Sequence, residues 1–183
     1  VAGGAATGPG GGLYSTSPVT LTSVTFRGNA TVDGRGGGLY TQGLLSATAS
    51  NFLSNTVTAI TTTPALNRGG GAYAEAGVIM TGGLFLNNRM VGVASVGGLG
   101  TSSSAVITNT QFVSNSAGDA AGGLRVVGQA TLTNVEFRAN TAGTAAGGLL
   151  VGGAAMISDT VFTGNQAGTD GGGARFSNPV TLL

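Results

Sequence analysis

Cysteine, histidine, tryptophan and lysine are missing from all 183 residues, and every basic side chain is an arginine. The lack of cysteine excludes disulfides and thiolate metal sites. The lack of histidine and lysine removes the commonest general bases and amine nucleophiles. Charge of either sign is scarce, at 7% of the chain and a net +1. That balance gives no ground for expecting nucleic acid or an anionic membrane as partner. No apolar run approaches the roughly 18 residues of a membrane span, so the chain is not expected to be membrane-embedded. Val1 opens directly into a glycine-rich loop with no signal-peptide pattern, which reads as a mature chain or an internal fragment if the protein is secreted. An apolar content of 41% argues against disorder, and the length suits one domain or one continuous array.

What is abundant is glycine, 36 residues of it, and it is patterned. Six of the seven phenylalanines stand in the phrase Phe-x-x-Asn, each thirteen residues after a Gly-Gly-apolar step. Counting that apolar residue as position 0, the column reads Leu13, Leu39, Ala72, Leu99, Leu124, Leu149 and Ala174. Position +13 is Phe26, Phe52, Phe85, Phe112, Phe137 and Phe162, and +16 is Asn29, Asn55, Asn88, Asn115, Asn140 and Asn165. The interval of thirteen never varies, although the period runs 26, 33, 27, 25, 25 and 25. A fixed interval inside a variable period marks one stretch as scaffold and the other as loop. Self-similarity on this scale indicates a solenoid, in which each repeat buries its apolar face only against its neighbours.

Positions +6 and +8 are apolar in every repeat and alternate with +7, the pattern of a half-buried strand. Parity changes before the Phe column, so a corner is expected near +9 to +10. A hydroxyl column lies there: Thr22, Thr48, Thr81, Thr108, Thr133 and Ser158. Asn at +16 reads as another corner, since Asn tolerates left-handed backbone and its amide can bond the equivalent group one coil away. Gly-Gly reads as a tight bend into the first strand. So much glycine, threonine and β-branched residue disfavours helix. The expected fold is an all-β parallel β-helix across residues 1–183, about seven coils of about 25 residues with three short strands each. At about 4.8 Å per coil, the rod would be about 34 Å long. The longest insertion, about 56–68 and containing Thr61-Thr62-Thr63-Pro64, is read as a surface loop.

Gly-Gly-apolar followed by Phe-x-x-Asn resembles the repeat of polymorphic outer-membrane proteins, autotransporter-like surface adhesins. The resemblance covers essentially the whole chain. It implies a right-handed β-helix, in keeping with the general preference for right-handed parallel crossovers, and an extracellular, cell-surface location. One departure is that Leu or Ala follows Gly-Gly here, where that family commonly has Ala-Ile or Ala-Leu.

Lyases and hydrolases of polysaccharides also use right-handed β-helices, and need clustered carboxylates for Ca²⁺ or for acid/base work. The acids are Asp33, Glu75, Asp119, Glu136, Asp159 and Asp170. Asp33, Asp119 and Asp170 fall in loops of different repeats, too far apart to share one substrate bond. Glu136 and Asp159 occupy adjacent repeats but sit two columns apart. No catalytic residue, metal site or cofactor is expected. The arginines are dispersed as well: Arg27 and Arg138 share a column four coils apart, and Leu150 separates Arg125 from Arg175.

All three tyrosines fall at +1: Tyr14, Tyr40 and Tyr73. With position 0 inward, +1 should face outward, giving an aromatic column that binds sugar rings or a neighbouring rod, or merely stacks on itself. The hydroxyl column suggests ice binding, but the mixed column at +7 breaks the flat array that would need. Asn29-Ala30-Thr31 matches a glycosylation sequon, yet Asn29 belongs to the ladder, so the match reads as chance.

In repeat coordinates, Val1 stands where a ladder Phe would, and Leu182 and Leu183 end the chain at +8 and +9. Head to tail, the two ends would complete one coil, which makes Val1, Leu182 and Leu183 candidate subunit contacts. Uncapped parallel strands readily add another chain, and such an open interface propagates without closing. The leading expectation is a non-enzymatic extracellular structural protein that forms a filament, a head-to-tail homopolymer. The alternative is an adhesin passenger fragment binding a glycan or host surface through the Tyr column or the Thr61 loop. A polysaccharide lyase or hydrolase ranks third.

Overall fold

The columns of the repeat become sheets. The computed structural model describes residues 1–60, 68–92 and 95–183, and among them there is no helix. Three long sheets run the length of the molecule, each strand pairing in parallel with its equivalent one coil away. The first sheet takes positions 0 to +2, seven strands from Leu13–Ser15 to Ala174–Phe176. The second takes +6 to +14, and the third begins at +17, with seven strands from Ala5–Ala6 to Gln166–Ala167. Register follows the repeat, with Leu39 paired to Ala72 and Phe52 to Phe85. The architecture is a parallel β-solenoid. A fourth, minor ladder at −3 joins Gly36, Gly69, Val96, Ala121, Ala146 and Gly171 in single bridges and one short pair.

The corner expected near +10 is a bend within a strand. Leu45–Leu53, Val78–Leu86 and Ala105–Val113 each run nine residues through it. The bend is made by one left-handed residue per coil: Ser23, Ala49, Gly82, Asn109, Asn134 and Asp159, with φ from 48° to 71°. A buried hydroxyl at +11 then ties the bend to the carbonyl two residues back, Ser50 to Thr48 at 3.0 Å and Thr110 to Thr108 at 3.0 Å. Such local side-chain bonds offer the backbone an alternative to the regular strand path.

The second turn also differs from expectation. The left-handed residue is not the ladder Asn but the one before it, at +15: Gly28, Ser54, Asn87, Ser114, Ala139 and Gly164. The Asn side chain faces inward instead, and Gly-Gly lies against it. A Cβ on Gly38 would sit 3.1 Å from the Asn55 Cγ and 2.6 Å from the Gly71 carbonyl. On Gly37 it would strike the backbone of Thr56 at 2.7 Å. The glycines are therefore required by close approach rather than by bending. The Asn and Gly-Gly columns meet across the coil and pinch its cross-section into two lobes.

The larger lobe holds the main core, with Leu39, Leu45, Phe52, Val78, Met80, Leu99, Ile107, Leu124, Leu132 and Phe137 among its members. The smaller lobe lies beyond the pinch and contains Val57, Met90 and Ala117 from the third sheet. The insertion expected over about 56–68 is narrower than that. Thr56–Thr58 is a regular strand of the third sheet and Arg68–Gly69 pairs with Ser95–Val96. Residues 61–67, including the Thr61 segment, lie outside the described residues.

Candidate functional site

Five ring-on-ring contacts run through the Phe column, with centroids 4.6 to 5.1 Å apart and planes within 10°. Phe26, Phe52, Phe85, Phe112 and Phe137 are fully buried, while Phe162 is half-buried. The Asn column runs beside them. Asn88 Nδ2 donates to Asn115 Oδ1 at 2.9 Å, and the Asn88 backbone N–H donates to the same oxygen at 3.0 Å. Its second amide hydrogen goes back one coil, to the Phe52 carbonyl at 2.7 Å. The same three bonds recur from Asn55, Asn115 and Asn140, so buried amides are saturated coil after coil. Asn29 is wholly buried within this seam, which places the sequon asparagine out of reach.

The tyrosine column does not form the exposed ladder expected of it. Tyr14 is 45% exposed, but Tyr40 and Tyr73 are 2% and 0% exposed. Tyr14 stacks on Tyr40 with centroids 5.5 Å apart. The Tyr40 hydroxyl donates to Glu75 Oε1 at 2.7 Å and accepts from Arg35 Nη1 at 2.9 Å, with the guanidinium carbon 5.4 Å from the ring centroid. Arg35 and Glu75 complete the triangle as an ion pair. Tyr73 lies over Gly100, the +1 residue of the next coil, where a Cβ would come within 2.6 Å of the ring. Its hydroxyl shares a 2.7 Å hydrogen bond with Ser102 Oγ. Burial pushes both phenols above their ordinary pKa, and the Glu75 bond adds to the rise at Tyr40. Two of the three candidate binding tyrosines are thus core residues. Parity alone misplaced them, because the loops and a missing side chain at Gly100 decide what covers +1.

The acids are separate from one another in their bonding. Asp33 Oδ1 accepts from the Ile60 backbone N–H, Asp119 from Thr144, and Asp170 pairs with Arg175 at 3.4 Å. Glu136 is held by Gln111 Nε2 at 2.9 Å and Arg138 Nε at 2.9 Å. Among the described residues, no three acids, histidines or cysteines stand close enough to hold a metal ion. At the hydroxyl column, Ser158 Oγ donates to Thr133 Oγ1 at 3.2 Å.

The terminal candidates continue the ladders. The Val1 ammonium donates to the Thr25 carbonyl at 2.8 Å, and Val1 O accepts from Arg27. Val180–Leu182 pairs with Ala155, Met156 and Ile157. Val1, Leu182 and Leu183 are 57%, 70% and 77% exposed, although Leu182 occupies a column that is buried at Leu132 and Ile157. Sequence reasoning missed the two left-handed columns and the surface trough that the first of them creates, described below. Their residues share a backbone geometry but no chemical type.

No family model, curated protein or solved structure matches the chain.

Proposed function

We propose that the chain is a non-enzymatic structural β-solenoid of the cell surface, lengthened by coil-on-coil stacking of further copies into a head-to-tail homopolymer. One observation carries this reading: the Asn–Phe seam repeats the same bonds at every step, so each coil offers the half-interface that another coil completes. At Asn165 the amide donates to the Phe137 carbonyl, and the Oδ1 of one more coil's Asn would complete its bonding. A second copy can supply that coil as readily as the same polypeptide. The acids support the absence of catalysis, since five of the six are engaged in bonds that hold local structure. The surface location rests on the likeness of the repeat to that of polymorphic outer-membrane proteins. Negative-stain microscopy and sedimentation of residues 1–183 test the reading. Rods that lengthen with protein concentration are expected, and a monodisperse monomer at every concentration would overturn it.

The adhesin alternative survives in a narrower form. Tyr14 keeps its exposure beside Arg35, Tyr40 and Gln42 in a hollow of about 320 Å³. Tyr14→Ala, rather than Tyr40→Ala, is its test, since the latter would empty part of the core.

A further inference from the structure

A second hollow lies away from the tyrosines. It is a trough of about 640 Å³ that runs across the bent strands of the second sheet. One wall is the left-handed column at +10, with Asn109, Asn134 and Asp159; the other is column +12, with Asn51, Gln111 and Glu136. Buried Thr110 and Val135 line it between the two walls. Leu84 and Val161 bring apolar surface to the same trough. It spans five coils, about 19 Å at the usual strand spacing. We propose that this trough binds a neutral oligosaccharide lying along the solenoid axis.

The first argument is the kind of polar group present. Every polar side chain on the two walls is an amide or a carboxylate, types that match sugar hydroxyls, which both donate and accept. The groups are also held in place before any ligand arrives. Asn134 Nδ2 donates to Asn109 Oδ1 at 2.8 Å, and Gln111 Nε2 donates to Glu136 at 2.9 Å. These axial bonds leave the Asn109 amide hydrogens, Asn134 Oδ1 and Gln111 Oε1 for a ligand. Side chains fixed by their neighbours lose less freedom on binding, which favours affinity. Asp159, exposed at +10, has no bonding partner among the described residues.

The second argument is charge and direction. The lining holds Asp159 and Glu136, the latter paired with Arg138, and no arginine of its own. A nucleic acid or a sulfated or uronic polymer thus finds no free cation there among the described residues and meets the charge of Asp159. An extended peptide would need main-chain partners, as in strand addition to a sheet edge. Here the strands run across the trough and their backbone groups are spent on the ladders. A chain of pyranose rings repeats at a length comparable to the coil spacing. Its hydroxyls can therefore meet successive coils in turn, with ring C–H faces on Leu84 and Val161. The trough reaches the last strand of the ladder at Val161–Thr163, but Asn109, Gln111 and Asn134 stand in coils paired on both sides, so the test on those three amides is read independently of the filament.

The test is a side-chain amide NMR titration of residues 1–183 with cellohexaose, maltohexaose, laminarihexaose and chitohexaose. A heparin hexasaccharide and an uncharged extended hexapeptide are the controls. At least one neutral hexasaccharide should shift the Asn109, Asn134 and Gln111 amides and leave the Tyr14 region unmoved. Asn134→Ala and Gln111→Ala should each weaken that binding about tenfold. Both variants should fold, because each side chain is exposed and Ala49 already holds the +10 column at φ 48°. Silence of these amides to all four sugars would sink the proposal. So would unchanged affinity in both variants, binding at Tyr14 instead, or shifts produced only by the peptide or heparin.

Discussion

Asn115 is fully buried, and every hydrogen-bonding valence of its amide is used. Removing the side chain strands the N–H and one amide hydrogen of Asn88 away from water. Each unsatisfied buried group costs about 1–3 kcal/mol. Asn115→Ala should therefore lower stability by about 3–5 kcal/mol in urea denaturation, while the exposed Asn134→Ala should cost under about 1 kcal/mol. The two asparagines are alike in composition, and only their columns tell them apart. The Asn at +16 was legible in the sequence because its type never changes. Its inward direction was not, since the left-handed residue stands one position earlier and varies among Gly, Ser, Asn and Ala.

At the scale of the element, the Gly-Gly step is a contact surface rather than a hinge. A Cβ on Gly98 would meet the Gly123 carbonyl at 2.4 Å and the Asn115 Cγ at 3.3 Å. Neither neighbour can retreat, because one is backbone and the other is locked in the seam. Gly98→Ala should cost about 3 kcal/mol or more through overpacking. Gly164 offers a control: it has φ 62° but nothing within 4 Å of the position a Cβ would take. Gly164→Ala should lose only the left-handed penalty of about 1–2 kcal/mol, and Ala139 already occupies that column. Thermal melts of the two variants separate contact from conformation. The nine-residue strands were harder to read than the Phe column, since a bend by one left-handed residue leaves the sheet pairing continuous and no residue type announces it.

For the molecule as a whole, stability is approximately the sum of coil-to-coil interfaces, so a weakness at one interface is felt along the rod. Two interior coils carry a buried phenol with a raised pKa, Tyr40 and Tyr73. The raised value means that the folded state holds the proton more tightly than the unfolded chain does. The contribution is therefore full below pH 10, the ordinary phenol value, and is lost as pH climbs from there through the folded pKa. The melting temperature should fall more steeply above pH 10 in the native chain than in Tyr73→Phe, as circular dichroism would record. The solenoid itself was open to sequence reasoning because Phe, Asn and Gly-Gly repeat by type. The smaller lobe was not, because its +18 column mixes Thr31, Val57, Met90 and Ala117. Nor was the burial of Tyr40 and Tyr73, which depends on contacts between coils rather than on alternation within one.

The meeting of the Asn and Gly-Gly columns has a consequence for how such a chain diversifies. Every change in repeat length, from 12 to 20 residues between Phe and the next position 0, comes in sequence after the seam Asn and before the next Gly-Gly step. The seam acts as a bulkhead. Segments in that stretch can be lengthened, exchanged or grafted while the inner wall keeps its register, so the surface is free to evolve at a rate the core does not share.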